Sequence, residues 1–371
     1  MTPARALPLV LPLLAGALLA GAARADTPPG VWDVARDPEA RARWNLHVHV
    51  RRLMRPPSSE DAFSPELKRD EELRFEAARA MLEEAGAASS PDVRLRFDLG
   101  VVLQELASIE GRRADLSRQA VAILAPAVDT APDHPAASEA LEALVNAYTF
   151  LDRPREELAT WRRFIAHLPD DASKVLPLMN MGEAEMRLGY VEVAVGTFKS
   201  VLEICGSLPN SSSHNFVYAL TLWDLAVALD RSGDPRGALD TGERAQKLRW
   251  AESGPAGLVH EVTGWDAIND KRTVYFIPSW ERDWYLALGS AASARGERDP
   301  RAAAELWAQA ETHWDTYVAG AAASRGDDRF LAIARARRER VHAQRVAAEA
   351  RAAKAGPPPA KDEASREEHA L

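Results

Sequence analysis

Two consecutive stretches decide the architecture. Residues 175–208 read VLPLMNMGEAEMRLGYVEVAVGTFKSVLEICGSL, and residues 219–248 read ALTLWDLAVALDRSGDPRGALDTGERAQKL. Each is an apolar-periodic run, a turn, and a second such run, which predicts a helical hairpin. Met181-Gly182 and Leu225-Ala226 occupy matching places in the first helices. Ala194 and Ala238 follow at the same thirteen-residue distance, each leading to Phe198 or Gly242 four residues on. Small residues at these places let two helix backbones approach, and large ones a turn away fill the flanks. Leu188-Gly189 and Ser232-Gly233-Asp234-Pro235 are turn signals. Gly supplies a positive φ after a helix end, and Pro suits the first turn of the next helix.

This skeleton resembles the tetratricopeptide repeat (TPR), a helix–turn–helix of about 34 residues. With that register other copies appear. Leu144, Tyr148, Trp161 and Pro169 mark an upstream hairpin, whose small-Ala place is taken by Glu157. Ala120, Leu124, Ala127 and Pro132 fit an earlier second helix. Its matching Leu99-Gly100 lies eight residues too early, so an insertion is expected in that turn. Downstream, Tyr285, Leu288 and Gly289 fit a first helix, and Ala303, Trp307 and Ala310 a second. About five hairpins are expected over residues 92–324. The resemblance implies an all-α fold, a right-handed superhelical stack whose first helices line a concave, peptide-holding groove. It places Met179, Glu183, Met186 and Arg187 of one hairpin in that groove, with Trp223, Val227, Asp230 and Arg231 of the next. Upstream, Glu142, Asn146 and Thr149 extend the surface. An apolar anchor with charges of both signs fixing register suits a protein or peptide partner.

The flanks have their own signals. Residues 1–25 read as a cleaved secretory signal: Arg5, an apolar run from Leu7 to Leu19, and Ala23-Arg24-Ala25 before Asp26. The run is short for a membrane span and contains Pro8 and Pro12, and no later run is long enough. The mature chain is therefore expected to be periplasmic or secreted, without a transmembrane segment. Residues 26–91 form an N-terminal helical, capping region, with Asp37-Pro38-Glu39 opening a helix and residues 66–85 forming another. Residues 92–248 hold repeats, 249–283 an irregular insertion, 284–326 the last hairpin, 327–355 a basic helix capped by Asp327 and Asp328, and 356–371 a disordered tail.

Within the insertion, Thr273–Ile277 is β-branched and aromatic, and Leu258–Val262 is expected to pair with it across Asn269-Asp270, giving a small β hairpin near 258–277. Six of the ten tryptophans fall at 250, 265, 280, 284, 307 and 314. They read either as a stacking platform for a glycan or cell-wall fragment, or as packing where the insertion meets the helices. The basic helix, with Arg329, Arg335, Arg337, Arg338, Arg340, Arg345 and Arg351, reads either as an anion-binding surface or as a solvated cap.

Chemistry is sparse. There is no phosphate loop, HExxH or GxSxG. His47 and His49 at i, i+2 point apart on a helix and do not chelate together. Ser211-Ser212-Ser213-His214-Asn215 reads as a helix N-terminal loop, and Glu183/Glu185 as a solvated helix face. The lone Cys205 is expected to be buried. A net charge of −9 argues against nucleic-acid binding through a basic surface. The expectation is a non-enzymatic scaffold without cofactor or metal.

Overall fold

A computed structural model describes residues 36–55, 65–109, 113–209, 211–253, 259–269, 274, 276–324 and 328–355. The signal-like segment, the tail, Asp327 and the 254–257 turn cluster lie outside these residues. Helix α1 (Pro38–Met54) opens as its sequence dictates: Asp37 accepts from the Glu39 amide at 2.9 Å, with Pro38 at the first helical position. Helix α2 (Pro65–Glu84) completes the first hairpin.

Five hairpins follow. They are α3 (Val93–Ile109) with α4 (Ala114–Thr130), α5 (Ala137–Phe150) with α6 (Pro154–His167), and α7 (Asp171–Arg187) with α8 (Val191–Ser207). The last two are α9 (Ser212–Arg231) with α10 (Pro235–Lys247) and α12 (Glu281–Gly296) with α13 (Pro300–Ala323). Each second helix packs on the next first helix, and α14 (Leu331–Lys354) packs on α13. The fold is all-α, a tandem stack of TPR-like hairpins.

The small residues do what their spacing predicts. A methyl group at Gly182 would stand 2.5 Å from the Phe198 ring, and one at Gly242 3.3 Å from Trp223. Ala194, Ala226 and Ala238 are completely buried. The hairpin turns share one geometry. Gly189 (φ +82°) and Gly233 (φ +96°) are left-handed, and amides wrap back from Tyr190 to Glu185 and from Asp234 to Leu229 at 2.9 and 2.8 Å. The α5–α6 turn repeats this wrap, Arg153 to Tyr148 at 2.9 Å, with Asp152 at φ +50° in the glycine's place.

The insertion differs from expectation. Strands β1 (Arg249–Ser253) and β2 (Val259–Thr263) pair antiparallel, with Trp250 opposite Val262. The expected strand at 258–262 is found as Val259–Thr263, but its partner is the stretch before it; of the expected partner 273–277, Thr273 and Tyr275 lie outside the described residues and Val274, Phe276 and Ile277 form no strand. Asn269, expected in the hairpin turn, ends helix α11 (Gly264–Asn269). Thr263 and Asp266 start α11 reciprocally: the Asp266 carboxylate accepts the Thr263 amide at 2.8 Å, and the Thr263 hydroxyl accepts the Asp266 amide at 3.1 Å. Trp223 then donates to the Gly264 carbonyl at 2.8 Å, docking this helix on α9. Val274, Phe276 and Ile277 lie against the repeat helices, which explains why their β-favouring side chains signal burial, not pairing.

The apolar core forms two main clusters. One runs from α1 through α6 and includes Ala184 of α7; the other runs from Val175 of α7 to Ala348 of α14. The boundary falls along the contact of α6 with α7.

Two substitutions test this packing. Gly182→Ala gains about 1 kcal/mol of helix propensity but overpacks the Phe198 contact, so a net loss of roughly 1–2 kcal/mol is expected in urea unfolding. Asp152→Gly relieves the left-handed strain and raises stability by about 0.5–1 kcal/mol in the same assay.

Candidate functional site

The first helices α5, α7, α9 and α12 carry the predicted groove residues. On α5, Glu142 is exposed, and Asn146 and Thr149 are half-buried. On α7, Met179 and Met186 are buried, while Glu183 and Arg187 are half-buried. On α9, Trp223, Val227, Asp230 and Arg231 are all buried. The face is therefore open over α5 and largely covered over α9 by the chain itself. This cover is a correction to the expectation that the α9 residues meet a partner: Asp230 accepts from Trp284 at 3.1 Å and from Arg337 of α14 at 2.6 Å. The Arg231 guanidinium lies between the rings of Trp284 and Phe330, 4.3 and 4.2 Å from their centroids, and pairs with Glu281. Burial raises the Asp230 carboxyl above its ordinary range, and the Arg337 partner opposes that rise.

Glu157, the residue that breaks the repeat pattern, is buried and pairs with Arg187 across the boundary between the two core clusters. Trp161 also donates to it, at 3.4 Å. Glu185, expected on a solvated face, is 2% exposed and accepts from the Thr197 hydroxyl at 2.8 Å. Glu183 is half-buried, and that burial pushes its carboxyl up to about 7, against the pull of Arg187. Asp224 of α9, which the sequence reading did not single out, is 3% exposed and accepts from the Tyr285 hydroxyl at 2.9 Å. Its carboxyl is raised well above the ordinary range by burial and then by Glu183.

Toward the N-terminal end, His47 bonds Asp98 at 2.6 Å, and Arg51 holds Glu139 through both guanidinium nitrogens. Glu71, Glu105 and Glu142 form no ion pair among the described residues. Burial, then Glu71, Glu142 and Glu139, push the Glu105 carboxyl up to about 7.

The tryptophans are packing residues. Trp250, Trp284, Trp307 and Trp314 are buried. Trp265 packs edge-on against Trp223 at 5.6 Å, and a methyl at Gly320 would stand 2.7 Å from Trp280. These six tryptophans therefore present no stacking platform for a glycan. The basic helix is likewise engaged: Arg338 pairs with Asp315, Arg345 with Glu311 and Glu349, and Arg329 reaches the Leu188 carbonyl of the α7–α8 turn. Cys205 is buried and its thiol is pushed up to about 11, and Ser211 caps α9 through the His214 amide at 3.2 Å. No helix among the described residues is long and apolar enough to cross a membrane.

No family model and no curated protein matches the chain. Solved structures of TPR proteins do. A Podosopora anserina protein described as a kinesin light chain with nearly identical TPR-like repeats is 17% identical, over 63% of this chain and 97% of its own, with a TM-score of 0.36. A Pyrococcus horikoshii signal-transduction ATPase with a TPR sensor is 15% identical over 82% and 45%, with a TM-score of 0.45. The P58(IPK) TPR domain is 14% identical over 85% and 71%, with a TM-score of 0.31. These are likenesses of fold, and the TPR-like assignment itself rests on the helix packing and turn geometry above.

Two outcomes follow. Glu157→Ala would restore the small residue of the repeat, yet it strands Arg187 and is expected to cost on the order of 2–3 kcal/mol in chemical unfolding. Glu105 and Glu183 hold protons in the folded chain that the unfolded chain releases. Their contribution to stability is full below about 4.5, falls as pH rises toward about 7, and is flat above. Unfolding midpoints of wild type should decline across that window, and Glu105→Gln with Glu183→Gln should reduce the decline.

Proposed function

We propose that the protein is a non-enzymatic interaction scaffold of the cell envelope that binds a segment of another protein on its first-helix face. The observation that carries this reading is the contrast along that face. Over α9 and α12 it is covered by α11, Phe276 and α14, whereas over α5 Glu142 is exposed and Asn146 half-buried, with the half-buried Glu105 of α3 close to Glu142. Glu71, Glu105 and Glu142 have no cationic partner among the described residues, so a segment carrying a basic side chain relieves their repulsion on binding. Export is supported by Arg5, the apolar run and Ala23-Arg24-Ala25.

The test is crosslinking from the native envelope with the chain from Asp26 onward as bait. Glu105→Gln with Glu142→Lys should reduce recovery of the partner about tenfold, the loss of one or two charge contacts. Glu203→Lys on the exposed outer side of α8 should leave it unchanged. Equal recovery from all three baits contradicts the assignment of this face. The mass of the exported species should match a chain beginning at Asp26.

A further inference from the structure

Between α7, α9 and α12, with Phe276 and Ile277 as its outer wall, lies a cavity of about 60 Å³. Its walls combine two chemistries. Trp223, Phe276 and Tyr285 supply aromatic rings, and Glu183 and Asp224 supply carboxylates. Arg187 and Arg231, the guanidinium groups among the described residues of the cavity wall, are paired with Glu157 and Glu281. Glu183 and Asp224 form no ion pair among the described residues, and Arg187 only opposes the rise of the Glu183 carboxyl. Asp224 Oδ1 accepts from Tyr285, but Oδ2, inside a side chain that is 97% buried, has no hydrogen-bond partner among the described residues. A buried carboxylate oxygen left bare is costly, and native interiors seldom keep one without a ligand, water or proton to satisfy it.

We propose that this cavity binds an alkylammonium group, held by the carboxylates of Asp224 and Glu183 against the rings of Trp223, Phe276 and Tyr285. An ammonium offers three donors and one positive charge, which answers Asp224 Oδ2 and Glu183 together. Aromatic walls attract the same cation through their ring faces. Volume and donors together select the head group. A water needs about 10–15 Å³ of cavity measured this way, so about 60 Å³ admits a small alkylammonium head, and a quaternary ammonium, which has no N–H, would leave Asp224 Oδ2 bare. The group is either that of a small free amine or the tip of a lysine side chain. The site is separate from the α3–α5 face and does not depend on it.

Binding requires both carboxyls ionised. Facing them are Arg187 on α7, Arg231 on α9, and Glu281 and Tyr285 on α12, with Glu157 of α6 behind Arg187. Burial pushes the Glu183 carboxyl up to about 7 and raises that of Asp224 well above its ordinary range, so affinity should rise with pH as the two ionise, and complex formation while either is protonated should release protons.

Isothermal titration of the chain from Asp26 onward with methylammonium, tetramethylammonium, potassium and Nα-acetyl-lysine methylamide tests this. Saturable binding of methylammonium at pH 8 is expected, at least tenfold tighter than tetramethylammonium or potassium and lost in Asp224→Asn. Binding of the lysine derivative as well identifies a side-chain ligand; its failure while methylammonium binds identifies a free amine. If Asp224→Asn does not fold, the wild-type ligand series and proton release measured in two buffers carry the test. No saturable methylammonium heat, or equal affinity for methylammonium and tetramethylammonium, overturns the proposal and leaves the cavity to waters and a shared proton.

Discussion

Close approach of helix backbones is the constraint on which this structure depends. Each hairpin needs a place where one helix has almost no side chain, so that a large residue of the other can lie across it. Gly182 under Phe198 and Gly242 beside Trp223 are two such places, with Ala194, Ala226 and Ala238 buried around them. The left-handed turns at Asp152, Gly189 and Gly233 set the hairpins in register with that approach. Fixing the crossing and the turn leaves the outer positions of the helices free to vary. Glu157 stands instead at a crossing place, buried, where its pairing with Arg187 takes over from the small residue.

Polar groups within the stack then decide how each part of the first-helix face is used. At the α6–α7 boundary Glu157 and Arg187 join two apolar clusters through a charge pair. Near the C-terminal end Arg337 and Trp284 bond Asp230 and Glu281 pairs with Arg231, with α14 folded back over the group. Buried ion pairs contribute little net stability but penalise any arrangement that separates them. They therefore hold α14 and the insertion in one position over α9 and α12, while on α5 Glu142 stays exposed.

Much of the fold was legible because its signals are local. Periodicity, the thirteen-residue spacing and the turn residues gave the hairpins, and Asp37-Pro38 gave the start of α1. Signals that depend on distant partners were not legible. Val274, Phe276 and Ile277 look like a strand because burial against helices favours the same residue types as pairing in a sheet. Arg249–Ser253 lacks that composition and became a strand through its short-range pairing with Val259–Thr263. Asp230 and Arg231 occupy groove places in the repeat, and nothing in their neighbourhood announces that Arg337, 107 residues later, will cover them. Glu157 was visible as an exception to the pattern; its meaning became clear only when Arg187 stood beside it.

The proposed partner contact falls on the first-helix face around Glu142 and Asn146 of α5. The most direct measurement places a photoreactive amino acid at Asn146, on that face, and separately at Val193, exposed on second helix α8, and irradiates intact cells. A discrete adduct with another protein from position 146 and none from position 193 is predicted. An adduct from position 193 with position 146 silent would contradict the claim and place recognition on the outer surface of the stack.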